Sequence, residues 1–306
     1  MDHLQSLSIF TAVADEEGFA AAARALGLSP PVVTRAVQAL EDRLGARLFD
    51  RTTRSVSLTE TGRGYYADCQ RILADLAEAD RRAAGLHAAP DGRVTVTASS
   101  LFGRKIVAPA LLGVLDLYPK ISLTTLFVDR VVHLQDEGID VAVRIAPLPD
   151  SRLMAVRVGA VRRVLVASPG YLDRAGRPRS PADLAAHDLI HFSSSMDAAG
   201  WSMQRNGKPH LVKVASRLHT NTADVAIAAA CVGRGITRVL SYQAADEVAA
   251  GRLEPVLTQF NPPDVPVHVV HKEAHHVSAR VRAVVDHLVA ELRGLPVLKE
   301  GSPGAV

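Results

Sequence analysis

The 306-residue sequence has few cysteines, few aromatic residues and no long apolar run. Its two cysteines, Cys69 and Cys231, lie far apart, which argues against a disulfide framework and favours a reducing compartment such as the cytoplasm. No stretch is apolar over the length that crosses a bilayer. The amino-terminal MDHLQSLSIF lacks the basic and apolar regions of a secretory signal. We therefore expect neither a disulfide-rich secreted protein nor a membrane partner.

The sequence also lacks the short signatures of several enzyme classes. It contains no GxSxG nucleophile turn, no phosphate-binding glycine-rich loop and no HExxH zinc motif. His268, His271, His275 and His276 suggest a metal site, but they lack a fixed ligand spacing. An enzyme and a metalloprotein are thus the weaker alternatives, and we expect no catalytic residues, cofactor or metal.

The sequence also has no large excess of either positive or negative charge. The formal net charge is only +3, and the part before Pro90 carries slightly more acid than base. Overall charge therefore does not indicate a nucleic-acid-binding protein. Binding to phosphates depends on local fields, however, and four arginines concentrate near one another in the first part of the chain: Arg43, Arg47, Arg51 and Arg54.

Residues 20–44, AAAARALGLSPPVVTRAVQALEDRL, have the pattern of two short helices joined by a tight turn. The alanine-rich run favours a helix that ends at Gly27. Ser29 is a predicted cap for the second helix, and Pro30 and Pro31 suit its first turn. The second helix has one apolar stripe, formed by Val33, Val37, Leu40 and Leu44.

The opposite face of this second helix carries the polar residues Thr34, Arg35 and Gln38. A helix pair with such a face suits the major groove of DNA, although an ordinary helical hairpin has the same apolar spacing. The flanking residues favour DNA binding. A preceding helix supplies a third apolar face, and LFDRTTRSVSLT predicts a two-stranded wing with Arg51 and Arg54 at its tip. The alternative for the wing is a solvated loop.

A long helix should follow, with Thr59 as its cap. Its apolar residues recur at alternating steps of four and three: Tyr65, Cys69, Ile72, Leu76, Ala79, Ala83 and Leu86. This heptad spacing predicts a coiled coil with the same helix of a second subunit. The alternative is a helix that packs on the next domain of its own chain.

After a short hinge at residues 88–92, strand-like and helical segments alternate. We expect a helix over Val131 to Glu137 and a capped carboxy-terminal helix that begins after Ser278. Strands that alternate with helices imply parallel sheets covered on both faces. The rhythm restarts at Arg162, which predicts two α/β lobes with a ligand cleft between them.

Several motifs together resemble the LysR-type transcriptional regulators. The most specific is FTAVADEEGFAAAARALGLSPPVVTRAVQALEDRLGARLFDRTTRSVSLTETG, and GIDVAVR, SPGYL and GRLEPVL are weaker. The resemblance covers essentially the whole chain. It implies a mixed α and α/β fold: a winged helix-turn-helix domain at 1–58, a long dimerising linker helix at 59–88, and a two-lobed effector-binding domain at 89–306 that resembles type 2 periplasmic binding proteins. Lobe I would span about 91–161 and 265–295, and lobe II about 162–264.

The resemblance implies contacts with double-stranded DNA from the recognition helix and the wing. The residues are Ser29, Pro30, Pro31, Thr34, Arg35, Gln38, Arg51 and Arg54. This sequence has Pro30 and Ala36 where the family often has Gln, Thr34 where it often has Ser, and Gly18 where Ser is usual. Because Gln can bind adenine through two hydrogen bonds and Pro or Ala cannot, the family's base preferences should not be transferred.

The resemblance also implies a small-molecule effector between the lobes. Lobe I would contribute Ser99, Ser100, Asp129, Arg130 and Arg144, and lobe II Phe192, Asn221, Thr222 and Thr237. Helix amino termini favour anions, so an anionic group is expected at Ser100 or Thr222. Each residue could equally be a capping or strand-end polar group. The expected assembly is a homodimer through the linker helix and a homotetramer, with RNA polymerase as a candidate partner.

A free-standing solute-binding protein is the remaining alternative. It would account for the two-lobed part, but it would need export and would leave the amino-terminal helices without a role. We therefore expect a DNA-binding regulator that a ligand controls.

Overall fold

The computed structural model describes residues 2–51, 56–83, 89–134, 137–148, 153–193, 200–205, 207–272 and 277–299. The chain divides into two compact units, Met1–Arg93 and Val94–Val306. None of the helices in these ranges has the length and apolar character needed to cross a membrane.

Three helices build the core of the first unit: α1 (His3–Asp15), α2 (Phe19–Ala25) and α3 (Pro30–Leu44). The predicted stripe of α3 is buried at Val33, Val37 and Leu40, whereas Leu44 is 40% exposed. Gly27 follows α2 with a φ of 66°, which a glycine adopts without the steric cost of a Cβ. The predicted side-chain cap by Ser29 is wrong, because α3 has no such hydrogen bond and only the Ser29 carbonyl accepts from the first turn.

The predicted wing is present. Strand β1 (Phe49–Arg51) pairs antiparallel with β2 (Val56–Leu58), with Phe49 opposite Leu58. Phe49 is buried, and its ring centroid lies 5.3 Å from that of Phe10 in α1. The wing is therefore attached to the helical core through an aromatic contact, and the unit is a winged helix-turn-helix.

The long helix α4 (Glu60–Ala83) follows the wing. Thr59 caps it as predicted, since its Oγ1 accepts a hydrogen bond of 2.9 Å from the Gly62 amide. The predicted seam divides in two. Tyr65 and Cys69 pack against the helical core, whereas Ile72 and Leu76 are 44% and 38% exposed. Leu86 and the side chain of Ala83 lie outside the described residues.

The strands beyond the linker are β3 (Gly92–Ala98), β4 (Ile121–Phe127), β5 (Val141–Ile145), β6 (Leu153–Val161), β7 (Arg163–Ala167), β8 (Leu189–Phe192), β9 (Gly200–Arg205), β10 (Lys208–Lys213), β11 (Ser216–Thr220), β12 (Ile236–Leu240), β13 (Glu254–Val256) and β14 (Val265–Lys272). The helices are α5 (Ser100–Phe102), α6 (Ala108–Leu117), α7 (Pro169–Ala175), α8 (Ala223–Cys231), α9 (Ser241–Ala249) and α10 (Ala279–Gly294). A π-helical turn, Gly103–Val107, joins α5 to α6. Short 3₁₀ turns lie at Pro181–Ala186, Thr258–Phe260 and Pro296–Leu298.

Each lobe is built on a five-stranded sheet. The order is β4-β3-β5-β14-β6 in lobe I and β11-β8-β12-β7-β13 in lobe II, while β9 and β10 form a separate hairpin on lobe II. The chain passes from lobe I to lobe II between β6 and β7, and returns between β13 and β14. As predicted, α10 begins at Ser278, whose Oγ accepts from the Val281 amide.

Two predictions for this unit need correction. The sheets are mixed, because β14 pairs antiparallel with β5 and β6, and β7 pairs antiparallel with β12 and β13. The expected helix at 131–137 does not form over residues 131–134. There Val132 and Leu134 are buried against Ile139 and Val270, so apolar packing replaces the helical pattern.

Candidate functional site

The amino-terminal half of α3 presents the predicted DNA-contacting residues on its surface. The exposed residues there are Ser29, Pro30, Pro31, Thr34, Arg35 and Gln38. The Arg35 Nε donates to the Pro31 carbonyl at 3.3 Å, and the Gln38 amide donates to Asp42 Oδ1 at 2.9 Å. The guanidinium of Arg35 retains further donors for a base edge or a phosphate.

The wing arginine Arg51 is bound within the protein. Its Nη2 donates to Glu41 Oε2 at 2.6 Å, and its guanidinium lies 4.7 Å from the centroid of the Phe19 ring. Glu41 Oε1 also accepts from the Leu48 and Phe49 amides, at 2.8 and 3.2 Å. Glu41, which is buried, therefore holds the start of the wing against α3, and Arg51 completes this contact. Sequence analysis missed Glu41 because its partners are not regularly spaced from it.

Arg51 nevertheless keeps about a third of its side chain exposed, so its remaining donors can still reach a phosphate. The second predicted wing residue, Arg54, lies outside the described residues. The DNA contact expected of Arg54 therefore stays a prediction.

A cavity of about 850 Å³ lies between the two lobes. Seven of the nine predicted effector residues line it: Ser99, Ser100, Asp129, Arg130, Arg144, Phe192 and Thr222. They come from strand ends and helix amino termini, as expected for the cleft edge of an α/β sheet.

The other two predicted residues do not line the cavity. Thr237 is fully buried, and its hydroxyl donates to the Ile190 carbonyl at 3.1 Å. The next residue of β12, Arg238, does line the cavity, because side chains alternate between the two faces of a strand. Asn221 is exposed just beyond β11 but lies off the cavity.

Several cavity-lining residues were not predicted. They are Arg104 after α5, Arg163 at the start of β7, Asp224 in the first turn of α8, Arg238 in β12, and Tyr242 and Gln243 in the first turn of α9. The lining thus contains five arginines and two aspartates. This excess of positive charge favours an anionic ligand.

The helix amino termini expected to attract an anion have partners within the protein. The Ser100 amide donates to Asp129 Oδ1 at 3.0 Å, and the Thr222 amide donates to Thr220 Oγ1 at 3.2 Å. The carboxylate of Asp129 therefore already satisfies one of the unpaired amides of the helix that begins at Ser100. Arginines, more than helix termini, are the groups left to bind an anion.

Two ion pairs connect the lobes beside the cavity. Arg104 Nη2 lies 2.9 Å from Asp224 Oδ2, and Lys105 Nζ lies 2.7 Å from Asp246 Oδ2. Arg104 and Lys105 are neighbours in the π-helical turn of lobe I, whereas the aspartates lie in α8 and α9 of lobe II. A change in the separation of the lobes must therefore alter both pairs.

An aromatic contact also joins the lobes. The rings of Phe102 and Tyr242 meet edge to face with centroids 5.0 Å apart. Burial raises the pKa of Tyr242 to about 12, so its phenol is neutral at physiological pH. It can therefore donate a hydrogen bond into the cavity without adding negative charge.

No group of three His, Cys, Asp or Glu side chains in the described ranges is placed to hold a metal ion. His268 and His271 lie in β14, while His275 and His276 fall outside those ranges. Burial raises the pKa of both cysteine thiols, to about 11 for Cys69. Neither thiol is therefore activated as a nucleophile.

Two family models match the chain. The model described as "Bacterial regulatory helix-turn-helix protein, lysR family" matches residues 4–63, and the model described as "LysR substrate binding domain" matches residues 87–293. The chain belongs to the LysR family of transcriptional regulators. The expected fold class and the expectation of a regulator instead of an enzyme are thereby confirmed.

Similar proteins span nearly the whole chain. An "HTH-type transcriptional repressor" of Pseudomonas aeruginosa is 35% identical, over 94% of this chain and 91% of its own length. The "HTH-type transcriptional regulator DmlR" of Escherichia coli is 33% identical, over 93% of each chain. The structure of CrgA, a LysR-type regulator from Neisseria meningitidis, superposes with a TM-score of 0.60 at 28% identity, covering 95% of this chain and 99% of CrgA. The two described units are therefore the helix-turn-helix unit and the two-lobed regulatory unit of LysR-type regulators.

Proposed function

We propose that this LysR-type regulator binds a dyad-related promoter site as an oligomer and responds to a small anionic effector in the cleft between its lobes. The exposed polar face of α3 is the observation that carries the DNA-binding half of the proposal. The recognition helices of a dimer would enter successive major grooves, with Arg35 and Gln38 near base edges and the wing near phosphates. Such a protein acts at the chromosome, so we place it in the cytoplasm.

The exposed part of α4 supports the oligomer. Ile72 and Leu76 remain accessible in the single chain, and their spacing suits the seam of a helix pair. We propose a homodimer through this helix and a homotetramer built from two such dimers. RNA polymerase bound at the same promoter is the macromolecular partner expected when the regulator activates transcription.

The charge of the cavity supports the anionic effector. Its lining carries five arginines and two aspartates, and Arg104 and Arg130 already have carboxylate partners in Asp224 and Glu137. The remaining arginines leave uncompensated positive charge in a confined space. A ligand that binds the open and closed arrangements of the lobes unequally would shift the population between them and so control DNA binding.

The DNA-binding half can be tested with Arg35→Ala. Its specific affinity for the promoter upstream of the protein's own gene should fall by about 1–3 kcal/mol if Arg35 reads a base edge. Binding to every duplex should fall alike if it touches a phosphate. Arg71→Ala is the matched control, since Arg71 lies on α4 and pairs with Asp68. Gel-shift titration and footprinting measure the binding of both variants, and unchanged binding by Arg35→Ala would remove Arg35 from the proposed interface.

A further inference from the structure

Two arginines on the lobe II wall of the cavity differ from the others there. Arg163 lies at the start of β7 and Arg238 in the middle of β12. Neither forms an ion pair with a carboxylate in the part of the chain that the structure describes. Both line the cavity. Among the described residues, these two positive groups of the cavity lining therefore have no carboxylate counter-ion.

The sheet holds these two side chains on one face. Strands β7 and β12 are antiparallel, with Leu165 opposite Arg238 and Arg163 opposite Leu240. Because side chains alternate along a strand, Arg163 and Leu165 share a face, and Arg163 and Arg238 are diagonal neighbours on it. Two adjacent guanidiniums form the planar, multidentate donor arrangement that binds a carboxylate.

Arg238 is held in place by its surroundings. Its Nη1 donates to the Ser202 carbonyl at 3.1 Å, and its guanidinium lies 5.8 Å from the centroid of the buried Trp201 ring. Sequence spacing could not reveal this support, because Trp201 and Ser202 belong to the β9–β10 hairpin. A fixed guanidinium loses less conformational entropy when it binds an anion.

The positive charges of Arg163 and Arg238 destabilise the protein when no anion is bound between them. Burial lowers the pKa of Arg163, and burial followed by the charge of Arg163 lowers the pKa of Arg238 to about 10. Both guanidiniums stay protonated at neutral pH, so two partly desolvated like charges face each other. An anion placed between them would regain the lost solvation and remove the repulsion.

Part of the lobe I wall of the cavity is apolar. Phe127 of lobe I packs its ring against Gly103, where an added Cβ would come within 2.3 Å of the ring. Val131 lines the same wall and is 80% exposed, and Phe192 faces it from lobe II. A ligand that covered these side chains would remove apolar surface from water. Inorganic phosphate or sulfate has no such part.

We infer that Arg163 and Arg238 form a carboxylate-binding subsite on lobe II, and that the effector is a small organic acid whose apolar body lies against Phe127 and Val131. This inference rests on the proposed function, since it concerns the same cleft. The acid would be bound by its carboxylate on one lobe and by its apolar body on the other. Its occupancy would thus depend on how closely the lobes approach.

The test uses the full-length protein and matched pairs of probes. Benzoate and hexanoate are compared with their uncharged amides, benzamide and hexanamide, and with inorganic phosphate, by isothermal titration and thermal unfolding. The acids should bind and raise the unfolding temperature, whereas the amides and phosphate should not. Equal binding of acid and amide, or a response to phosphate alone, would overturn the inference. So would the absence of any response to both acids.

Variants assign the binding to the arginine pair. Arg163→Gln and Arg238→Gln should each weaken binding of the acids by about 10- to 100-fold, as expected for loss of a charge-assisted hydrogen bond. Arg234→Gln is the control, because Arg234 is an exposed arginine of lobe II outside the cavity. If the two variants bound the acids as the unmodified protein does, the subsite would be wrong while an anionic effector in the cleft would stand.

A measurement without ligand separates a binding role from a structural one. Arg163→Met removes one of two facing charges and should raise the unfolding temperature of the unliganded protein by about 2–4 °C. A structural arginine would give a decrease, and that result would also overturn the inference. The DNA-binding half of the proposed function is tested separately, by the promoter binding of Arg35→Ala.

Discussion

The carboxylate of Glu41 connects the recognition helix to the wing. It accepts two backbone amides and the guanidinium of Arg51 while its own side chain is only 7% exposed. Removing a buried acceptor of this kind lowers the free energy of unfolding, because its donors lose their hydrogen-bond partner and water cannot replace it. Arg51 therefore has a structural role in addition to the phosphate contact predicted for it.

We predict that Glu41→Ala destabilises the first unit by about 1–3 kcal/mol. The loss should be accompanied by weaker binding to all DNA sequences, since the wing would no longer be fixed. Asp42→Ala is the control, because Asp42 is exposed and its side chain accepts from Gln38. Urea denaturation followed by circular dichroism measures the difference. Equal stability of the two variants would contradict a buried anchoring role for Glu41.

The surroundings of His268 predict that the second unit loses stability in acid. It lies in β14 between Arg144 of β5 and Arg157 of β6. Burial, and to a lesser degree the charge of Arg157, lower its pKa, although a hydrogen bond with the Ala146 backbone opposes this shift. In the unfolded chain this histidine therefore binds a proton near pH 6.5, whereas in the folded protein it does so only at a lower pH. Stability contributed by neutral His268 is present above that pH and is lost as the pH falls.

Urea denaturation at a series of pH values should show this effect. The free energy of unfolding should decrease between pH 7 and pH 5, and His268→Gln should decrease less over the same range. His210→Gln serves as the control, since His210 is exposed on the β9–β10 hairpin. A steeper decrease in His268→Gln than in the unmodified protein would contradict the proposed cause.

At the scale of whole elements, the burial of α4 changes along its length. Its first turns are part of the helical core, where Cys69 is fully buried. Its later turns expose Ile72 and Leu76. Heptad spacing predicted the helix and its apolar residues, but it could not show that the seam leaves the core of its own chain between Cys69 and Ile72. That division depends on where α1 lies, which is a tertiary contact.

Substitution within the exposed seam should disrupt the proposed dimer contact through α4. We predict that the double variant Ile72→Glu and Leu76→Glu halves the mass of the assembly, because like charges would replace an apolar contact. Ala77→Glu introduces a charge on the same helix away from the seam and should leave the assembly intact. Light scattering coupled to gel filtration gives the mass of each. If the double variant kept the mass of the unmodified protein, the proposed contact through α4 would be wrong.

The parallel-sheet expectation explains which parts of the candidate site sequence reasoning missed. The family resemblance implies ligand groups at the carboxyl ends of strands, which in a parallel sheet all lie at the cleft edge. It thereby predicted Ser99, Ser100 and Phe192, which line the cavity. Because β7 runs antiparallel to β12, its first residue, Arg163, lies at that same edge. Strand direction is set by long-range pairing, and local patterns do not encode it.

At the scale of the second unit, two ion pairs beside the cleft hold the lobes together: Arg104–Asp224 and Lys105–Asp246. Asp224 and Asp246 are more than half exposed, so each pair contributes at most about 1 kcal/mol. Two such pairs can still shift the ratio of closed to open lobes by about tenfold. Because Arg104 also lines the cavity, an anionic ligand would compete with Asp224 for it.

Charge reversal tests this relation. Asp224→Lys with Asp246→Lys should separate the lobes, and small-angle scattering of the full-length protein should show a larger radius of gyration than in the unmodified protein. Adding Arg104→Asp and Lys105→Asp restores opposite charges across the cleft and should reverse the change. High salt should abolish the difference between the reversed and unmodified proteins, since the pairs are exposed. If the fourfold variant stayed as open as the double variant, the ion pairs would not be what draws the lobes together. The crossover segments from β6 to β7 and from β13 to β14 would then set their separation.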